Sequence, residues 1–110
     1  MGFEIKEATI TSAAGGWGTA TISNCQGYIA AIEVNPSAVS VPTASFDIEV
    51  DNANGLVIHN KDDYSATATT MTCPPLGTYY KFPVAGTLTV YGADMGSAKV
   101  AQVIIYLDNY

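Results

Sequence analysis

Residues 81–107 read Lys81-Phe82-Pro83-Val84-Ala85-Gly86-Thr87-Leu88-Thr89-Val90-Tyr91-Gly92-Ala93-Asp94-Met95-Gly96-Ser97-Ala98-Lys99-Val100-Ala101-Gln102-Val103-Ile104-Ile105-Tyr106-Leu107. Two β-rich runs flank a glycine-punctuated loop of about five residues, the pattern of a hairpin. Leu88 and Val90 alternate with Thr87, Thr89 and Tyr91, the two-residue period of a half-buried strand. In the second run Ala101, Val103, Ile105 and Leu107 share one face, while Val100, Ile104 and Tyr106 make the other face apolar as well. A strand apolar on both faces is either central to a sandwich or docked on another subunit.

Upstream of this ribbon, Phe46-Asp47-Ile48-Glu49-Val50-Asp51 is the cleanest strand, with Phe46, Ile48 and Val50 inward and the three carboxylates outward. Asn52-Ala53-Asn54-Gly55 follows as a tight turn, because Asn-Gly between β runs is a strong hairpin signal, and Leu56-Val57-Ile58 returns as the partner strand. Residues 28–34 form another two-faced strand with Tyr28, Ala30, Ile32 and Val34 on its main face, and Asn35-Pro36 stops it. Residues 19–23 are a shorter strand, separated from it by a break at Asn24-Cys25-Gln26-Gly27. Residues 37–44 read as a loop crossing between sheets, and a short helical turn is conceivable near Asp62. Residues 3–11 open the chain as a strand with a bulge or bend near Lys6-Glu7; alternatively residues 1–6, including Phe3 and Ile5, are an arm that pairs elsewhere. The sum is a single all-β domain over residues 1–110, an antiparallel β-sandwich or small barrel of seven or eight short strands.

Composition narrows the function classes. The chain is 48% hydrophobic and only 13% charged, with a net charge of −6 from four Lys+Arg against ten Asp+Glu. Without a cationic cluster, neither nucleic acid nor an anionic membrane surface is an expected partner. No apolar run approaches the ~20 residues of a membrane span. Cys25 and Cys73 stand far apart, which excludes a four-cysteine zinc framework and leaves either one disulfide or two buried thiols. The charged opening Met1-Gly2-Phe3-Glu4-Ile5-Lys6-Glu7 lacks the apolar segment of a signal peptide, so synthesis in the cytoplasm is expected.

Chemistry is scarce. Asp47, Glu49 and Asp51 lack the glycine that a calcium loop needs at its sixth position, where Asn52 stands, and read as a solvated face. His59, the only histidine, has no nucleophile context and reads as a turn residue. The expectation is a protein without catalytic residues, metal or cofactor. Trp17, set among Gly15, Gly16 and Gly18, is either a partner anchor or a lid on the open end of the core. Tyr91 and Tyr106 face away from the core side of their strands and complete a candidate interface with Val100 and Ile104.

The run Pro83-Val84-Ala85-Gly86-Thr87-Leu88-Thr89-Val90, the turn Gly96-Ser97-Ala98-Lys99 and the closing Val103-Ile104-Ile105-Tyr106-Leu107 together resemble a family of small all-β structural proteins of tailed bacteriophages. Residues 10–28 are similar to that family's opening, and residues 46–50 to its middle strand. The resemblance implies a virion protein of the capsid surface: a head decoration protein that binds the major capsid protein and associates with itself as a trimer or dimer. Trp17, Cys25 and Cys73 have no counterpart in it. Two alternatives stand beside it, a head–tail connector or tail component, and a carbohydrate-binding module with Trp17 and several tyrosines as its stacking platform.

Overall fold

The computed structural model describes residues 3–72 and 82–108. Its strands are β1 (Phe3–Thr11), β2 (Gly18–Pro36), β3 (Phe46–Asp51), β4 (Val57–Tyr64), β5 (Thr70–Thr72), β6 (Phe82–Ala93) and β7 (Val100–Asp108). They form one antiparallel sheet in the order β1-β7-β2-β6-β3-β4, with β5 also on β2. No helix occurs among the described residues.

The sheet cannot be flat, because β2 is too long. Nineteen residues extended at about 3.3 Å each would reach roughly 60 Å, whereas the longest dimension of the molecule is 39 Å. The strand bends where its pairing with β6 shifts between Ile22 and Cys25. Asn24 (φ 58°) and Gly27 (φ 119°) supply the left-handed backbone of that corner. Its first half pairs with β6, and its second half with β7 and β5. The curled sheet thus presents two layers, one built on each half of β2. Ile22, Leu88, Val90, Ile48 and Phe46 from one meet Ile10, Ile32, Val34, Val103 and Ile105 from the other in a buried core.

This topology corrects several expectations. The ribbon 81–107 is not a hairpin: β6 and β7 lie on opposite sides of β2. Residues 94–99 arch between the layers, Met95 is fully buried beneath them, and its N–H bonds the Gly16 carbonyl at 3.1 Å. The expected break at residues 24–27 is the corner of a continuous strand. Beyond it a second register shift, between Ile29 and Ala31, reverses the parity, so Tyr28 is exposed while Ile29 and Ile32 are buried. Residues 3–6 are not a free arm; Phe3 stands opposite Asp108 and Lys6 opposite Ile105, in a register that continues unshifted to Thr11. The bulge near Lys6 is therefore absent, and Ile5 simply faces outward. The turn near Asp62 is not helical, since β4 runs through to Tyr64 with Asp63 at φ 65°. Cys25 is a buried free thiol, and Cys73 lies outside the described residues.

The alternating strand at residues 46–51 and the Asn54-Gly55 turn form as expected, with Asn52 Oδ1 accepting from the N–H groups of Asn54 and Leu56, each at 2.9 Å. Across the layers, the cross-strand pair Gly18 and Gly92 leaves a patch without side chains that admits Ile10 and Met95. A Cβ on Gly18 would lie 2.5 Å from Ile10 Cγ2 and 2.9 Å from the Thr11 carbonyl oxygen; one on Gly92 would lie 2.5 Å from Met95 Sδ. Backbone cannot yield as a thioether can. Gly18→Ala is therefore expected to lower unfolding stability by about 2–3 kcal/mol and Gly92→Ala by about 1 kcal/mol, both measured by urea titration.

Candidate functional site

On the outer face of the layer that holds β6, β3 and β4, a shallow depression of about 220 Å³ is lined by Trp17, Asp47, Glu49, Asn60, Asp62 and Tyr91, with Ile48 and Ala93 at its floor. The sheet register sets this lining. Glu49 of β3 stands opposite Tyr91 of β6 on one side and Asn60 of β4 on the other, and Asp47 stands opposite Ala93. Directly opposed side chains have Cβ atoms about 5 Å apart, so Tyr91, Glu49 and Asn60 form a continuous row. Trp17 is delivered by the tight turn before β2, in which Ala13 N–H bonds the Trp17 carbonyl at 2.8 Å and Gly16 N–H bonds the Ala13 carbonyl at 2.9 Å.

Trp17 is not a lid. Its indole is 64% exposed at the edge of the depression, because Met95 already fills the open end of the core. Tyr91 is 37% exposed beside it. Nor are the β3 carboxylates a freely solvated face. An inner strand, β3 is flanked by β4 and β6, and Asp47, Glu49 and Asp51 are half-buried. Burial raises the Asp47 carboxyl above the usual carboxylate range, followed by its hydrogen bond with Asp94 and the repulsion of Asp62. A hydrogen bond with Asp51, then burial, does the same for Glu49. Among the described residues, no lysine acts on either group. Asp51 Oδ1 is buried without a hydrogen-bond partner among the described residues. The carboxyls form two pairs rather than one converging set, and no cluster of three metal-ligating side chains occurs among the described residues.

The other candidate interface residues gather elsewhere. Val100, Ile104 and Tyr106 are half-buried on the outer side of β7, and Ile5 of β1, 59% exposed, stands opposite Tyr106. The Tyr106 hydroxyl donates to Glu33 Oε1 at 2.7 Å. Phe3 precedes Ile5 by two residues in the same strand. Trp17 and Tyr91 thus border the depression, whereas Ile5, Val100, Ile104 and Tyr106 lie over β1 and β7. Asn60 and Asp62 were missed because only the register of β4 brings them beside Glu49 and Asp47.

No family model matches the chain, and no curated protein matches it. Solved structures do share its fold. A fucose-binding module of Streptococcus pneumoniae superposes with a TM-score of 0.60 at 6% identity, over 91% of this chain and 70% of that one. The lectin domain of lectinolysin, solved with Lewis B antigen, gives 0.58 at 9% identity over 91% and 72%. A glycoside hydrolase family 43 arabinoxylan arabinofuranohydrolase from Bacillus subtilis gives 0.53 at 16% identity, but only 21% of that chain is covered. At these identities the likeness is one of fold, an all-β sandwich shared with these domains.

His59 takes no part in the depression. It lies in β4 rather than in a turn, is fully buried, and its Nε2 is 2.8 Å from the Tyr64 hydroxyl, while Nδ1 has no partner among the described residues. Burial, with a smaller contribution from the charge of Lys61, lowers its pKa to about 4. The unfolded chain binds a proton below about 6.5 that the folded chain refuses until about 4. Stability from this group is therefore complete above pH 6.5 and lost as pH falls toward 4, by roughly 3 kcal/mol in all. Asp47 and Glu49, with raised values, slope the opposite way. The difference in urea stability between wild type and His59→Gln, followed against pH, is expected to shrink across that window; a pH-independent difference would refute it.

Proposed function

We propose that this chain is a carbohydrate-binding module whose ligand rests in the depression between Trp17 and Tyr91. The observation that carries this reading is an exposed indole beside a tyrosine, bordering a concave surface lined by carboxylates and an amide. A sugar ring has apolar C–H faces and hydroxyl edges. An aromatic face receives the former, and carboxylate and amide oxygens accept from the latter. At about 220 Å³ the site is smaller than a closed drug-sized pocket, which suits surface contact with a sugar ring rather than engulfment. Acidic glycans are repelled by Asp47, Glu49 and Asp62, so the ligand is an uncharged or basic saccharide. The fold likeness to lectin and fucose-binding modules supports the class and says nothing of which sugar. A glycan array tests it. Wild type is expected to bind, and Trp17→Ala and Tyr91→Ala each to weaken binding at least about tenfold, ~1.4 kcal/mol. Trp17→Ala should leave the melting temperature unchanged, because the indole is exposed. A blank array would end the reading.

A second reading, a decoration protein on the capsid of a tailed-phage head, rests on the other surface. Ile5, Val100, Ile104 and Tyr106 form an apolar stripe over β1 and β7 suited to another copy of the chain or to the major capsid protein. Ile104→Lys is expected to abolish self-association in size-exclusion chromatography and capsid binding in sedimentation, while glycan binding persists. A chain monomeric alone and absent from capsids would sink it. Copy number in purified virions separates decoration from a connector or tail role.

A further inference from the structure

Resting on the carbohydrate reading of the depression, we propose that its preferred ligand is a basic amino saccharide, a hexosamine chain carrying free amines rather than N-acetyl groups. The site itself is defined by shape and by its aromatics; its charge then selects among sugars. Asp47, Glu49 and Asp62 line the concavity, and no lysine is among its described lining residues. Of the three described lysines, Lys6 pairs with Glu4 at 3.5 Å, Lys61 holds its ammonium 4.6 Å from the centre of the Tyr64 ring and donates to the Asp62 carbonyl at 3.3 Å, and Lys99 lies beside Gly96.

Crowded carboxylates on a sheltered face cost stability, and this face carries two carboxyl pairs, Asp47 with Asp94 and Glu49 with Asp51. A fold that keeps such crowding unrelieved has reserved electrostatic attraction for something that arrives from outside. The ligand must also satisfy the aromatics. An ammonium near the π face of Trp17 or Tyr91 is attracted by the ring quadrupole, while the C–H face of the same sugar stacks. A bare metal ion fits less well. Asp47 and Glu49 are two residues apart on an extended strand, with Cα atoms about 7 Å apart. No group of three metal-ligating side chains gathers there among the described residues. Amines and hydroxyls spread over a sugar ring can meet both pairs at once. N-acetylation would remove the charge and add an apolar cap opposite carboxylates, so it should be disfavoured.

The test is calorimetric titration of the intact chain with a glucosamine hexasaccharide and with the N-acetylglucosamine hexasaccharide of the same linkage. It is run at mildly acidic pH, where the amines are protonated, and at low salt. The free-amine chain is expected to bind at least about tenfold more tightly, with the gap narrowing as salt screens it. Asp47→Asn combined with Glu49→Gln relieves the crowding, so it should fold, and it should close the gap. Trp17→Ala should weaken both ligands. Equal affinities, or preference for the acetylated chain, would overturn the proposal and leave the carbohydrate reading intact. Unchanged free-amine affinity in Trp17→Ala would reveal adsorption to an acidic surface and would overturn it as well. Binding of neither hexasaccharide, with other sugars bound on the array, refutes the amine preference alone; a blank array refutes both.

Discussion

A nineteen-residue strand in a body 39 Å long has to fold over on itself, and the remaining architecture follows from where β2 does so. Asn24 and Gly27 provide the corner, since a left-handed backbone is cheap only for residues with little steric conflict or with local side-chain hydrogen bonding. Each half of β2 then recruits its own neighbours. β6, β3 and β4 assemble on the first half, and β7, β1 and β5 on the second. The apolar faces of the two groups meet without a second independent sheet. Such a core needs close approach at its open end, which the glycine pair of β2 and β6 permits by leaving room for Ile10 and Met95.

The same corner places the candidate site. Because Met95 seals the core under the arch at residues 94–99, the indole of Trp17 is not needed there and turns to the outer face. Its neighbours on that face belong to β6, β3 and β4, whose alternate residues must point away from the core. On β3 those residues are Asp47, Glu49 and Asp51, and flanking strands shelter them from full hydration. Half-burial of like charges raises their proton affinity, a cost that a folded protein tolerates most readily where the charges serve recognition.

Two outer surfaces of different character result. One is concave, acidic and aromatic; the other, over β1 and β7, is flatter and more apolar, with Tyr106 tied to Glu33. A sandwich of this kind hosts many functions, so architecture alone does not select between a sugar and a protein partner. What weighs toward the sugar is the pairing of an exposed stacking surface with a row of oxygen acceptors, a combination that a purely adhesive face does not require.

Local alternation made much of this legible from residue types alone. The outward carboxylates of 46–51, the Asn54-Gly55 turn, the stop at Pro36 and the all-β class each depend on neighbours within a few residues. Trp17 and Tyr91 could be singled out by residue type, although whether Trp17 covers the core or faces outward could not be read. Beyond the β3–β4 hairpin, strand partnership was not legible. The runs at residues 82–93 and 100–108 look like a hairpin because turn chemistry is local, whereas the insertion of β2 between them depends on closing the core over long sequence distances. Register decided the rest: a shift between Ile29 and Ala31 put Tyr28 and Ile32 on opposite faces, and only lateral pairing brought Asn60 and Asp62 to Glu49 and Asp47. Sequence specifies which side chains alternate; which strand lies beside which is settled by the joint burial of both layers.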